Sequence, residues 1–213
     1  MARMRAALVA AHTHLDGLDP VLDRLMAQHG PAKLPAAAPA GRRFHDLAES
    51  IAYQQLNGKA AATIWGRVAA AAEETIVTPQ RLLALGEVPL RAAGLSGSKT
   101  KSMLDLSTRV ASGEIALGRV GVLEDEAVIE SLVKVWGIGR WTAQMFLMFT
   151  LGRLDVWPEG DYGVRAGYGK AWGLTEMPKE VEMPTLGAPF AGARSLVAWY
   201  CWRATDSAET GRT

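Results

Sequence analysis

An all-α fold is what this sequence predicts, on three observations. Apolar residues recur at helical spacing through nearly every segment, no strict alternation is bounded by hairpin turns, and Ser, Asp and Gly fall where helices would start and stop. With 213 residues, 49% hydrophobic and 21% charged, the chain can bury a sizeable core, and its length fits one large domain or two small lobes.

The elements follow in order. The start, "MARMRAALVAAHTHLDGL", predicts an N-terminal helix; its apolar run is interrupted by His12, His14 and Asp16 before a signal-peptide core is complete. "GPAKLPAAAPAGRR", residues 30–43, is rich in Pro and Ala and predicts an exposed connector. In "FHDLAESIAYQQL", Leu47, Ala48, Ile51 and Ala52 share a helical face, and "KAAATIWGRVAAAA" continues with Ile64 and Val68, giving two packed helices joined near Asn57 and Gly58. Tyr53 and Trp65 are read as core. Ser98 is the expected N-cap of the next helix, with a stripe of Met103, Leu106 and Val110 and a terminator at Gly113. In "EDEAVIESLVKVWG" acidic residues lead and Val128, Leu132 and Val135 line one face, so a helix is expected to run straight into Gly137. After Gly139, "RWTAQMFLMFTLG" restarts a helix with Trp141, Met145 and Phe149 at i, i+4 and i+8. The region 128–150 therefore reads as helix, tight hairpin, helix.

Composition limits the chemistry. The single cysteine, Cys201, excludes an internal disulfide and any zinc or iron-sulfur site built from four cysteines of this chain. A reducing, cytoplasmic setting is the default expectation, and nothing approaches membrane-spanning length. A net charge of +1 does not advertise nucleic acid, so any DNA contact must be local or use neutral donors. His12, His14, His29 and His45 show no metal spacing and are read as surface or cap residues.

Two segments carry a candidate chemistry. Gly137 and Gly139 allow positive φ and close backbone approach; they make either a plain reversal or a cradle of exposed amides. Twenty positions after Trp141, in "LDVWPEGDYGVRAGYG", Pro158 and Gly160 make a turn and Asp161 opens the next segment, as a helix cap or as something more.

Four blocks, "AESIAYQQLNGKAAATIWGRV", "LRAAGLSGSKTKSMLDLS", "LVKVWGIGRWTAQMFLMF" and "DVWPEGDYGVRAGYGKAWGL", with a fifth, "RSLVAWYCWRA", resemble the helix-hairpin-helix (HhH-GPD) DNA glycosylases, and within them the 3-methyladenine DNA glycosylases of the second type. The resemblance spans about residues 44–204. It implies a two-lobed helical fold with the active site in the cleft between lobes and no N-terminal β domain. Residues 1–43 would be an N-terminal helix and connector belonging to that fold, 44–206 the glycosylase core, and 207–213 a tail. The implied activity is excision of alkylated purines such as 3-methyladenine and 7-methylguanine from duplex DNA after base flipping, leaving an abasic site. The alternatives are a hairpin protein that binds DNA without catalysis, and a glycosylase for uracil, hypoxanthine or another lesion.

The resemblance also implies roles. Asp161 would be the catalytic carboxylate, with Asp155 and Glu159 solvated loop charge. Trp141, Tyr162, Met145 and Phe190 would line the base pocket, Phe190 despite the absence of the family's aromatic-Pro-aromatic run before Arg194. Trp141 stands where bifunctional members carry a lysine that forms a Schiff base, so no lyase activity is expected. The amides near Gly137, Gly139 and Trp141 would grip a DNA phosphate, and Gln55 would plug the gap left by the flipped nucleotide. Ser96 and Ser98, with Lys99 or Lys101, would meet a second phosphate or simply open a helix. The carbonyls of Val133, Val135 and Ile138 would hold a structural Na+ or K+; no cofactor is required. Arg165 and Arg194 are read as structural ion-pair partners. The expected partner is damaged double-stranded DNA, with no membrane, and the expected state is a monomer.

Overall fold

The computed structural model describes residues 2–206; the expected tail, 207–213, lies outside the described residues. Twelve α-helices and no strand occur among them: α1 (Ala2–Leu15), α2 (Pro20–His29), α3 (Arg43–Tyr53), α4 (Gly58–Ala72), α5 (Pro79–Leu85), α6 (Glu87–Ala92), α7 (Gly97–Ala111), α8 (Asp125–Leu132), α9 (Arg140–Phe149), α10 (Tyr162–Ala171), α11 (Met183–Gly187) and α12 (Arg194–Asp206). No helix among the described residues is long and apolar enough to cross a membrane. The chain divides into two compact units, a central one of Ala38–Phe146 and a terminal one that joins the segment up to Ala37 with the chain from Leu147 onward.

In the central unit, α3 buries Phe44, Leu47, Ala48, Ile51 and Ala52. α4 contributes Ala61, Trp65, Val68 and Ala72, and α7 contributes Met103 and Leu106. Burying each large aliphatic or aromatic side chain here stabilises the unit by about 1.5–3 kcal/mol. Asn57 caps α4 by accepting from the Ala60 amide at 2.9 Å, so the expected join lies where the spacing placed it. Trp65 is core, whereas Tyr53 is 36% exposed. His45 is not a surface residue: it is buried, its Nδ1 accepts from the Val77 amide at 3.0 Å, and its ring meets Trp65 edge-on.

Two helix boundaries differ from the sequence reading. α7 starts two residues early, capped by Ser96, whose hydroxyl accepts from the Lys99 amide, and not by Ser98. α8 ends at Leu132 and does not reach Gly137. Its continuation is broken because Asp105 Oδ2 accepts from the Trp136 amide at 2.7 Å, and the chain from Val135 to Ile138 turns in tight three-residue steps.

In the terminal unit, the expected single N-terminal helix is two, parted at Gly17, which has φ +73°, and restarted by Asp19 and Pro20. The connector is not simply exposed. Ala32 and Leu34 are buried, and the Ala32 amide donates toward His12 Nε2 and the buried Tyr200 hydroxyl, at 2.9 and 3.1 Å. α10 lies against α12 so closely that a Cβ at Gly167 would overlap the Cys201 carbonyl. Tyr168 stacks on Trp172 at 4.1 Å, and Trp172 reaches Asp19 Oδ2.

Asp155 is not solvated loop charge. Both its oxygens accept from Arg194, at 2.7 and 2.8 Å. Burial pushes its carboxyl up, but the Arg194 hydrogen bonds and charge outweigh this and hold it below the usual range. A depressed native value means stability that is present above the unfolded pKa, about 3.9, and lost as pH falls through the native one. The melting temperature should therefore fall as pH drops below about 4, and Arg194→Gln should flatten that part of the curve. Parallel curves for the two proteins would show that the pair contributes nothing. Arg165 donates its Nε to the Pro178 carbonyl.

Candidate active-site carboxylate and nucleic-acid interface

Asp161 is placed by the turn before α10. Its amide donates to the Pro158 carbonyl at 2.9 Å, its backbone is extended, and its Oδ1 accepts from the Val164 amide at 2.8 Å, so it is the N-cap of α10. The same Oδ1 accepts from the Trp202 indole N–H at 2.9 Å. Two donors on one oxygen fix the plane of the carboxylate, which is 8% exposed. A Cβ at Gly163 would fall 2.7 Å from Trp202, so only glycine lets α12 bring that ring to Asp161. The Trp202 ring lies 5.8 Å from Phe149, itself 43% exposed. Burial first, and then the Asp161 charge, push the Cys201 thiol up, so the lone cysteine stays protonated and unreactive.

The other two residues of this unit expected in the base pocket differ sharply in exposure. Tyr162 is the most open, at 72% exposure. Phe190 is 2% exposed, its ring near Trp172, and has no face open to a ligand. Trp202 was missed by sequence reasoning: it stands in the quoted closing block, but nothing in helical spacing reveals a partner 41 residues away.

The central unit holds the hairpin. Gly137 has φ +81°, and a Cβ there would overlap the Ser102 hydroxyl, so glycine is required twice over. Gly139 has no need of positive φ, and a Cβ there would meet nothing within 4 Å. It lies at the start of α9, where the positive end of the helix dipole is presented. Gln54 ties the hairpin to the end of α3, donating to the Gly137 carbonyl at 3.3 Å and the Thr142 hydroxyl at 3.2 Å. Arg140 pairs with Glu126 through both nitrogens, at 2.7 and 2.8 Å, and Arg140 hydrogen bonding lowers the Glu126 carboxyl. Val133, Val135 and Ile138 line one groove with Gly137 and Gly139, and the Val135 carbonyl already accepts from the Ile138 amide.

Trp141 is not core: it is 44% exposed, and Met145 is partly exposed. α9 instead buries Thr142, Ala143, Gln144 and Phe146. Next to Gln54, Gln55 is an exposed residue with φ +54°, a left-handed conformation that a non-glycine residue holds only at a cost. Leu56, at 41% exposure, stands beside it. Ser96 and Ser98 are exposed at the start of α7. Lys99 is turned away from any ligand: its ammonium donates to the Ala52 carbonyl at 2.8 Å, and burial lowers its pKa.

Residues 48–187 match the family described as HhH-GPD superfamily base excision DNA repair protein. The DNA-3-methyladenine glycosylase 1 of Schizosaccharomyces pombe is 31% identical over 205 residues, 95% of this chain and 90% of that one. A crystal structure of a DNA-3-methyladenine glycosidase from Bacillus halodurans superposes with a TM-score of 0.84 at 31% identity, covering 94% of this chain and 91% of that one. The S. pombe 3-methyladenine DNA glycosylase in complex with abasic DNA gives 0.83 at 30% identity, covering 92% and 97%. This chain belongs to the HhH-GPD superfamily of base excision DNA repair proteins.

Proposed function

We propose that this protein is a monofunctional DNA glycosylase that hydrolyses the N-glycosidic bond of alkylated purines, of the 3-methyladenine and 7-methylguanine type, in duplex DNA. The observation that carries this reading is the buried Asp161 carboxylate, oriented by the Val164 amide and the Trp202 indole. Support comes from the relatives, named 3-methyladenine glycosylases, one of them solved on abasic DNA, the product such a reaction leaves.

The chemistry asks little of the protein. An N3- or N7-alkylated purine is cationic and departs with the C1′–N electron pair without needing a general acid. What remains is positive charge on an oxocarbenium-like sugar, which a fixed carboxylate stabilises while water adds to C1′ and releases a proton. The indole N–H keeps Asp161 aimed during that step. Trp141 has no amine, so no Schiff base forms and the strand stays intact. In the central unit Trp141 is an exposed aromatic of the kind that suits an electron-poor base, with Met145 on the same helix as a soft, adaptable thioether, and in the terminal unit Tyr162 is another exposed aromatic. Phe190 makes no such offer, and Trp202 replaces it in this reading.

DNA is gripped through the amides near Gly137, Gly139 and Trp141, at the N-terminal end of α9, which needs no large basic surface. Gln55, held left-handed at an exposed tip, fills the gap in the stack. Ser96 and Ser98 at the start of α7 take a second phosphate. The carbonyls of Val133, Val135 and Ile138 would hold Na+ or K+, whose charge suits the carbonyl end of α8. The protein acts as a monomer.

The test compares base release from methylated, uracil-containing and hypoxanthine-containing duplexes. Faster release from methylated DNA is expected, and comparable rates on uracil would overturn the lesion class. Trp202→Phe keeps a ring but removes the N–H, and should slow single-turnover release about tenfold, the scale of one charge-assisted hydrogen bond. An unchanged rate would remove Trp202 from the machinery.

A further inference from the structure

Beside the hairpin lies an open groove of about 780 Å³ lined by Lys101, Asp105, Arg109, Lys134, Trp136 and the hairpin backbone. Its one acidic residue is already engaged. Asp105 accepts from Arg109 Nε at 3.1 and 3.2 Å and from the Trp136 amide at 2.7 Å, while Arg109 also pairs with Glu114. Lys101 and Lys134 are both exposed. Trp136 is 44% exposed, an unusual state for so large an apolar side chain, and the Lys101 ammonium stands 4.3 Å over its ring. Of the two lysines in "GSKTK", Lys99 is spent on the Ala52 carbonyl.

We propose that Lys101, held over Trp136, contacts the DNA phosphate next to the one taken by the hairpin amides, and that Trp136 is the positioning residue that keeps its ammonium there. A flexible lysine ordinarily loses much of its rotamer freedom on binding a phosphate; one already parked on an indole face loses less, and an ammonium with three donors can turn one to the ring and another to the phosphate. The groove thereby extends the hairpin's hold from one phosphate to two along a strand. The occupant is an anion because, among the described residues, Lys101 and Lys134 are the groove's charges without an ion-pair partner. This rests on the DNA-binding reading above.

The test is equilibrium binding of the full chain to a fluorescent duplex carrying a tetrahydrofuran abasic site, across a salt series. Lys101→Gln should reduce the slope of log K against log salt by about 0.9, the value of one phosphate contact, and Lys101→Arg should restore it. Trp136→Leu should weaken binding in the wild-type background and not in Lys101→Gln. Both side chains are exposed, so folding is retained, and melting temperature checks it. An unchanged slope in Lys101→Gln, with tight wild-type binding, overturns the contact and leaves the DNA reading standing. Additive losses for the two substitutions overturn the role of Trp136. Absence of duplex binding by the wild-type chain brings down both the DNA reading and this contact.

Discussion

Asp161→Asn is expected to lower single-turnover release of alkylated purines by about two orders of magnitude or more, with melting temperature and duplex affinity retained. The substitution separates charge from structure. An asparagine oxygen still accepts from the Val164 amide and the Trp202 indole, and asparagine caps a helix about as well as aspartate, so α10 and its packing on α12 stay in place. What disappears is the negative charge that the proposed mechanism sets against the sugar as the glycosidic bond opens. Asp161→Ala would confound the two, because it removes the cap, worth about 1 kcal/mol, and leaves the indole N–H unmatched. Full turnover by the asparagine variant would sink the catalytic assignment.

Gly139→Asp is expected to weaken duplex binding at least tenfold while the protein folds normally. Gly139 is the position to use, because its φ is not in the left-handed region and a Cβ there meets open space. At Gly137 the same change would force a strained φ and collide with Ser102, so a loss of binding there would say nothing about DNA. A carboxylate at Gly139 would instead stand beside the phosphate that the proposal places at the hairpin, and would oppose it at short range. Base release at saturating protein should recover much of the wild-type rate, since the carboxylate machinery is untouched. Equal affinity in the two proteins would count against the hairpin contact.

Most helices were legible because their signals are local: the buried face of α3, the join near Asn57 and Gly58, the Gly113 stop and the acidic first turn of α8 all lie within a few residues of what they control. The same holds for Asp161, whose cap partner is three residues away. What could not be read depends on distant partners. α8 stops short because a carboxylate on α7 captures the Trp136 amide, 31 residues away in sequence. Asp155 is an ion-pair partner because Arg194 returns to it across 39 residues. His45 is buried against Trp65 and accepts from the Val77 amide, partners 20 and 32 residues away that no helix pattern announces. Phe190 reads as an aromatic near the closing helix, and only packing against Trp172 shows that its ring is enclosed. The stripe of Trp141, Met145 and Phe149 has helical periodicity, but periodicity marks a face without saying whether it turns inward; here Trp141 and Phe149 are open.

The central claim, that the protein frees alkylated purines and leaves the strand whole, is tested most directly by incubating the purified chain with methylated duplex DNA, separating released bases by chromatography, and assaying strand nicking with and without alkali. Free 3-methyladenine or 7-methylguanine, with nicks only after alkali, is the predicted result. Nicks without alkali would contradict the monofunctional chemistry assigned to a site with Trp141 in place of an amine, and duplex binding without any released base would contradict catalysis at Asp161.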